Sequence, residues 1–167
     1  MAQAGNDRLE FNITLPSAPD PEKMSRRASS IDKPPSIQAQ ETILVCEDNE
    51  AIRLAIEGLL RASGYSVHLV ENGHDALKFV NQPETNIAVL ISDIRMPGIS
   101  GKELAIKVRE EFPDIQIILI SGHTGGIVGE DWLQKEKIKF LPKPFTHAAL
   151  IAAVSEAYSA YRSLNSK

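Results

Sequence analysis

Apolar residues from Thr42 onward fall into five short runs separated by polar or amphipathic stretches. Each run is four to six residues long and is bounded by turn formers or polar residues. Such runs are typical of strands that are buried on both faces of a parallel sheet. They cover residues 43–46, 66–70, 87–92, 115–120 and 138–142.

The stretches between these runs show the three- to four-residue spacing of amphipathic helices. The first helix is expected to end at Gly64, the second to span residues 73–81 before Pro83, the third to stop at Pro113, and the last to begin after the cap Thr146. The residues expected on inward faces are Ile52, Ile56, Leu59 and Leu60 in the first helix, Leu104, Ala105, Val108 and Phe112 in the third, and Leu150, Ala153, Val154 and Ala157 in the last.

Residues 125–137 carry the weakest helical pattern, because Gly125, Gly126 and Gly129 lower helix propensity. We expect a short or mobile fourth helix in this stretch. Strands and helices that alternate in this way indicate an α/β protein. The order of elements fits a five-stranded parallel sheet of the flavodoxin-like (βα)5 type, with strand order 2-1-3-4-5.

Composition divides the 167-residue chain near Glu41. Residues 1–41 hold five of the ten prolines and a serine-rich segment without sustained periodicity, which predicts a disordered Pro/Ser-rich tail before a single domain over residues 42–165. A net charge of −4 gives no support for a nucleic-acid or membrane surface. A lone cysteine, Cys46, and the lack of a long apolar stretch favour a cytoplasmic protein.

Polar side chains stand at the ends of four of the apolar runs. Glu47 and Asp48 follow the first run, Asp93 follows the third, Ser121 the fourth and Lys143 the fifth. Because the carboxyl ends of parallel strands lie along one edge of a sheet, we expect these groups to converge. Three carboxylates suit a hard divalent cation, most simply Mg²⁺, and an ionised aspartate is a competent nucleophile toward phosphorus.

These residues resemble the receiver domain of two-component response regulators, in order and in spacing. The resemblance runs from about Thr42 to about Tyr161. It rests on the sequences Glu47-Asp48, Ser92-Asp93-Ile94-Arg95-Met96-Pro97-Gly98, Ser121-Gly122 and Lys143-Pro144-Phe145, and Glu71-Asn72-Gly73-His74-Asp75-Ala76-Leu77 resembles the turn before the second helix.

The resemblance implies a signalling module. Asp93 would accept a phosphoryl group from a histidine kinase or a histidine phosphotransfer protein, with Mg²⁺ as cofactor. The phosphorylated domain would act on a downstream protein target through protein–protein contacts and would catalyse only its own phosphorylation and dephosphorylation. A phosphorylation-dependent homodimer is left open.

The resemblance also implies roles for individual residues. Asp48 and Asp93 would bind Mg²⁺ directly, Glu47 mainly through a water molecule, and Arg95 through its backbone carbonyl. Lys143 would neutralise phosphoryl oxygens. A cis peptide bond is implied before Pro144.

The switch and the lifetime of the phosphorylated state involve four further positions. Ser121 would bind the attached phosphoryl group and Phe140 would turn inward in response, although Ser121 as a turn former and Phe140 as a plain core residue are alternatives. Arg95 and His123 occupy positions that tune aspartyl-phosphate lifetime in the family. Our hypothesis is that Arg95 shields the phosphoryl group from water.

Two other functions stay open at this stage. One is a phosphatase-type enzyme with an Asp-phosphate intermediate, although Arg95 stands where such an enzyme carries its second aspartate and no insertion the size of a cap domain is present. The other is a receiver that binds partners without being phosphorylated, against which the complete acidic set argues.

Overall fold

The computed structural model of the protein describes residues 41–122 and 129–166. The expectations for the tail before residue 41, for His123 and for the glycines at 125 and 126 lie outside the described residues. The strands are β1 (Thr42–Cys46), β2 (Ser66–Val70), β3 (Ile87–Asp93), β4 (Gln116–Ser121) and β5 (Lys139–Pro142). The helices are α1 (Glu50–Ala62), α2 (Gly73–Val80), α3 (Gly101–Glu111), α4 (Glu130–Lys135) and α5 (His147–Asn165).

The five strands form one sheet in the order β2-β1-β3-β4-β5, and each neighbouring pair is parallel. Strand β1 lies between β2 and β3, so that Val45 has Leu69 and Ile91 as register partners. Pro142 stands in the edge strand β5, where its missing N–H removes no hydrogen bond from a central strand. The predicted α/β fold and strand order are confirmed.

Alternate residues of the central strands pack into two cores, one on each face of the sheet. Helices α1 and α5 cover one face through residues such as Leu60 and Val154. Helices α2 and α3 cover the other through residues such as Ala76 and Leu104. This double burial explains the nearly unbroken apolar runs in the sequence.

Short polar side chains fix the starts of four helices. Asn49, Asn72, Ser100 and Thr146 each accept a hydrogen bond from a backbone N–H in the first turn of α1, α2, α3 and α5 respectively. Helix α4 begins after Gly129 without a side-chain cap and is only six residues long. The short fourth helix is therefore confirmed for its described part.

Strands β3 and β4 each reach one residue further than the sequence predicts. Asp93 and Ser121 are the last residues of their strands because the parallel ladder continues past them. The N–H of Ile94 donates to the carbonyl of Ile120 over 3.0 Å, and the N–H of Lys143 donates to the carbonyl of Ser121 over 2.8 Å. Both side chains are thus set by sheet geometry and not by a loop.

Candidate functional site

Lys143 joins the ends of three strands. Its Nζ donates to Glu47 Oε2 over 2.7 Å and to Asp93 Oδ2 over 3.0 Å. These partners are 96 and 50 residues away in sequence. The predicted convergence of Glu47, Asp93 and Lys143 at the carboxyl edge of the sheet is therefore confirmed.

Three hydrogen bonds hold Glu47 in place. Its N–H donates to the carbonyl of Val70 over 3.2 Å, which extends the β1–β2 ladder by one residue. Its Oε1 accepts the N–H of Asn49 over 3.3 Å while Oε2 accepts from Lys143. The residue is 1% exposed, and this burial raises the pKa of its carboxyl group, against the lowering effect of the Lys143 ammonium.

Glu47, Asp48 and Asp93 together form what we call the acidic trio. Each offers a carboxylate oxygen, and the three oxygens lie within 4.8 Å of one another. Asp48 is exposed and Asp93 is partly buried, so that the trio opens to solvent on one side. Oxygen-only donors with room for water fit Mg²⁺, which keeps part of its hydration shell in proteins.

The backbone around Asp93 is tightly packed. Ser92 Oγ donates to the carbonyl of Asp93 over 3.0 Å, and the N–H of Arg95 donates to Asp93 Oδ1 over 3.3 Å. The N–H of Gly101 donates to the carbonyl of Ile94 over 3.0 Å. A Cβ atom at Gly101 would lie 2.0 Å from the carbonyl oxygen of Asp93, so only glycine lets α3 start this close to β3.

The other residues predicted for the site differ in how deeply they are buried. Ser121 is fully buried at the end of β4. Phe140 is partly buried against the core beneath α2 and α3. Arg95 is exposed. The peptide bond between Lys143 and Pro144 is cis, as expected.

Two residues near the site, Arg53 and the cap Asn49, are not predicted from the sequence. Arg53 lies in the first turn of α1, and its Nη1 donates to the carbonyl of Glu47 over 2.6 Å and reaches the carbonyl of Asp48 at 3.4 Å. Asn49 Oδ1 accepts the N–H of Ile52 over 3.1 Å. An asparagine directly before an apolar helical pattern is a usable cap signal, whereas no spacing rule points an arginine at these carbonyls.

Fold and site define a class of protein: an open α/β sheet that carries three carboxylates and a lysine at the carboxyl ends of its strands. Residues 43–155 match the family model of the response regulator receiver domain. The chain belongs to this family, the receiver domains of two-component systems.

Curated relatives agree with this family. The chain is 28% identical over 151 residues to the sensor kinase CckA of Brucella abortus, a match that covers 87% of this chain and 16% of the kinase. It is 30% identical over 120 residues to the DNA-binding transcriptional regulator NtrC of Escherichia coli K12, covering 72% of this chain and 25% of NtrC. The chain thus corresponds to a quarter or less of each of these two proteins.

Solved structures show the same fold. A response regulator receiver domain protein from Clostridium thermocellum is 27% identical, with a TM-score of 0.68 over 74% of this chain and 98% of the other. The chemotaxis protein CheY4 of Vibrio cholerae is 24% identical, with a TM-score of 0.62 over 71% of this chain and 99% of the other. The second likeness shows the fold alone. Within the described residues, no helix has the length and apolar character needed to cross a membrane.

Proposed function

We propose that the chain is a phosphoryl acceptor, that Asp93 is the residue phosphorylated, and that Mg²⁺ is its cofactor. The observation that carries the proposal is the contact of one lysine, Lys143, with both Glu47 and Asp93 beside the exposed Asp48. This arrangement gathers positive and negative groups around one nucleophilic oxygen. It fits transfer of a phosphoryl group better than it fits a structural ion pair, because structural pairs do not need a third carboxylate within 4.8 Å.

In this mechanism an Asp93 oxygen attacks the phosphorus atom of a phosphohistidine on a donor protein. The P–O bond to Asp93 forms as the P–N bond to the histidine breaks, and the imidazole leaves and takes up a proton. The bound Mg²⁺ would neutralise charge on the phosphoryl oxygens. Asp48 and Asp93 would hold the metal directly, Glu47 would hold it through water, and the Arg95 carbonyl would complete the protein ligands.

Lys143 has two roles in the proposed cycle. Before transfer, its ammonium group offsets the repulsion between Glu47 and Asp93, which it contacts at 2.7 and 3.0 Å. After transfer it is placed to bond an oxygen of the phosphoryl group on Asp93, since a charged hydrogen bond to phosphate is stronger than a neutral one. The side chain is 16% exposed, so water competes little for it.

The signal would leave the site through β4 and β5. Ser121 ends β4 and would bond the attached phosphoryl group. Phe140, which pairs in register with Leu119 of β4, would then shift its packing, because it has no hydroxyl group for a hydrogen-bonded switch. A downstream protein would recognise the altered surface. The role of a histidine kinase or phosphotransfer protein as donor is supported by the likeness to a sensor kinase and to response regulators.

The chain is proposed to have no catalytic activity toward other molecules, and to act in the cytoplasm. The phosphatase-type alternative predicts many turnovers, whereas a receiver should stop at one phosphoryl group per chain. Incubation with acetyl phosphate and Mg²⁺ separates the two. We expect a stoichiometric, hydroxylamine-labile adduct with slow phosphate release; sustained release of phosphate over many turnovers would support the enzyme instead.

A further inference from the structure

We propose that Arg53 is a positioning residue that sets the direction of the Asp48 carboxylate and thereby the affinity of the acidic trio for Mg²⁺. The inference rests on the proposed function, since it concerns the metal of the same site. It concerns a residue of α1 whose side chain bonds backbone carbonyl oxygens of the site and not its carboxylates.

The contacts of Arg53 are made to backbone and not to carboxylates. Its Nη1 lies 2.6 Å from the carbonyl oxygen of Glu47 and 3.4 Å from that of Asp48. A cation placed directly on a carboxylate would compete with the metal for its oxygens. Arg53 instead bonds the backbone that carries Glu47 and Asp48 and leaves the carboxylate oxygens available.

The Asp48 carboxylate depends on this backbone bond. Within residues 41–122 and 129–166, the Asp48 side chain makes no hydrogen bond of its own. Glu47, by contrast, is tied through its N–H and both carboxylate oxygens. Two peptide planes flank Asp48. The Arg53 bond to the Glu47 carbonyl restrains the first plane, and the bond from the Asn49 N–H to Glu47 Oε1, with the longer Arg53 contact to the Asp48 carbonyl, restrains the second.

Helix α1 fixes the backbone of Arg53. The N–H of Arg53 donates to the carbonyl of Asn49 over 2.9 Å, and Asn49 caps the same helix through the N–H of Ile52. The first turn of α1 therefore contacts the loop of Glu47 and Asp48 at two points: at Asn49, where the helix starts, and at the Glu47 carbonyl, through the Arg53 side chain. Groups that orient metal ligands in this way typically change metal affinity by about 10- to 100-fold when they are removed.

A matched control exists on the same helix. Arg61 also donates from its guanidinium to a backbone carbonyl, that of Val67, over 2.9 Å, and it pairs with Glu57 at 2.8 Å. Arg61 lies at the other end of α1 from the acidic trio. Arg61→Met therefore removes the same charge and the same kind of hydrogen bond without touching the loop of Glu47 and Asp48.

The test is calorimetric titration of Mg²⁺ into the wild-type chain, Arg53→Met, Arg53→Lys and Arg61→Met. We expect Arg53→Met to raise the dissociation constant by about tenfold, Arg53→Lys to raise it less because a donor for the Glu47 carbonyl remains, and Arg61→Met to change it less than about twofold. Phosphorylation by acetyl phosphate should need a higher Mg²⁺ concentration for its half-maximal rate in Arg53→Met than in the wild-type chain, and Arg61→Met should not change this concentration.

Hydrogen exchange in EDTA gives a second measurement that needs no metal. The amide of Asn49, which donates to Glu47 Oε1, should exchange faster in Arg53→Met than in the wild-type chain or in Arg61→Met. The inference is overturned if Arg53→Met folds and binds Mg²⁺ as the wild type does, if Arg53→Lys weakens binding more than Arg53→Met does, or if Arg61→Met weakens binding as much as Arg53→Met does. A wild-type chain without Mg²⁺ affinity would overturn the proposed function itself, and this separates the two failures.

Discussion

Glu47 is the one charged residue that is buried in the part of the chain that the structure describes. Burial is the main cause of its raised pKa, and the nearby Asp93 carboxylate adds to the increase. A carboxyl group with a raised pKa in the folded protein favours folding below its ordinary value of 4.5, and this contribution is lost as pH rises through the folded-state value. Ionised Glu47 therefore costs stability at neutral pH so that a metal-binding charge is available.

We predict that Glu47→Gln is more stable than the wild-type chain at neutral pH in EDTA, because glutamine keeps a hydrogen-bond acceptor for Lys143 without a buried charge. The advantage should shrink as pH falls from neutral toward 4.5, because the raised pKa lets Glu47 take up a proton above its ordinary value. Thermal unfolding across this pH range measures it. Glu57→Gln, at the exposed ion pair with Arg61, should show no such gain, and a Glu47→Gln chain less stable than wild type at neutral pH would refute the prediction.

Arg95 is the residue through which the lifetime of the phosphorylated state can be tested. Its side chain is exposed, while its N–H holds Asp93 Oδ1 at 3.3 Å. Arg95→Ala keeps the backbone contact and removes the group that would shield the phosphoryl group from water. We predict several-fold faster loss of phosphate from Arg95→Ala, followed by intact mass after removal of acetyl phosphate. An unchanged decay rate would show that Arg95 does not shield the site.

Among the elements, β3 and α3 meet at a junction that has no room for a side chain at position 101. A Cβ atom at Gly101 would approach the Asp93 carbonyl oxygen to 2.0 Å and Ser92 Oγ to 2.9 Å. Because the obstacle at 2.0 Å is backbone, β3 and α3 would have to separate. The start of α3 thus sets the position of the last residue of β3, which is the proposed phosphoryl acceptor.

We predict that Gly101→Ala lowers the free energy of unfolding by about 1–3 kcal/mol, the usual cost of overpacking, and impairs Mg²⁺-dependent phosphorylation. Gly58→Ala is the matched control, since a Cβ atom at Gly58 in α1 meets nothing within 4 Å. It should stabilise the helix by about 0.5–1 kcal/mol. Urea unfolding measures the free energy of unfolding of both variants. A Gly101→Ala chain as stable as the wild type would contradict the packing argument.

The sequence predicts the strands within one or two residues because buried parallel strands are apolar on both faces and turn formers bound them. It predicts Asp93, Glu47 and Lys143 as a group because the ends of parallel strands share one edge. It does not predict the contact of Arg53 with the Glu47 carbonyl, since a long flexible side chain can reach many acceptors. The approach of Gly101 to Asp93 is equally hidden, because it arises from how a loop folds back in space.

The carboxyl ends of β3 and β4 are also not predicted correctly from the sequence. Polar residues such as Asp93 and Ser121 do not continue an apolar pattern, so the sequence places the end of each strand before them. The structure includes both because backbone hydrogen bonds, which carry no side-chain signal, run on to Ile94 and Lys143. Whether Ser121 and Phe140 act as a switch stays a prediction.

At the scale of the whole molecule, the sheet brings together groups that the chain keeps far apart. Glu47 and Asp93 are contacted by the same lysine although 46 residues separate them. A change that shifts β1, β3 or β5 relative to one another should therefore weaken the contacts of Lys143 with Glu47 and Asp93 before it unfolds the chain. The relatives place such a domain within longer proteins, so its partners are to be sought through the proposed phosphorylation.

The most direct test of the central claim is peptide mapping by mass spectrometry after treatment with acetyl phosphate. We predict one phosphoryl group per chain, located on Asp93, dependent on Mg²⁺, abolished by EDTA and absent from Asp93→Asn. A phosphoryl group on another residue, or labelling of Asp93 that persists without a divalent cation, would contradict it.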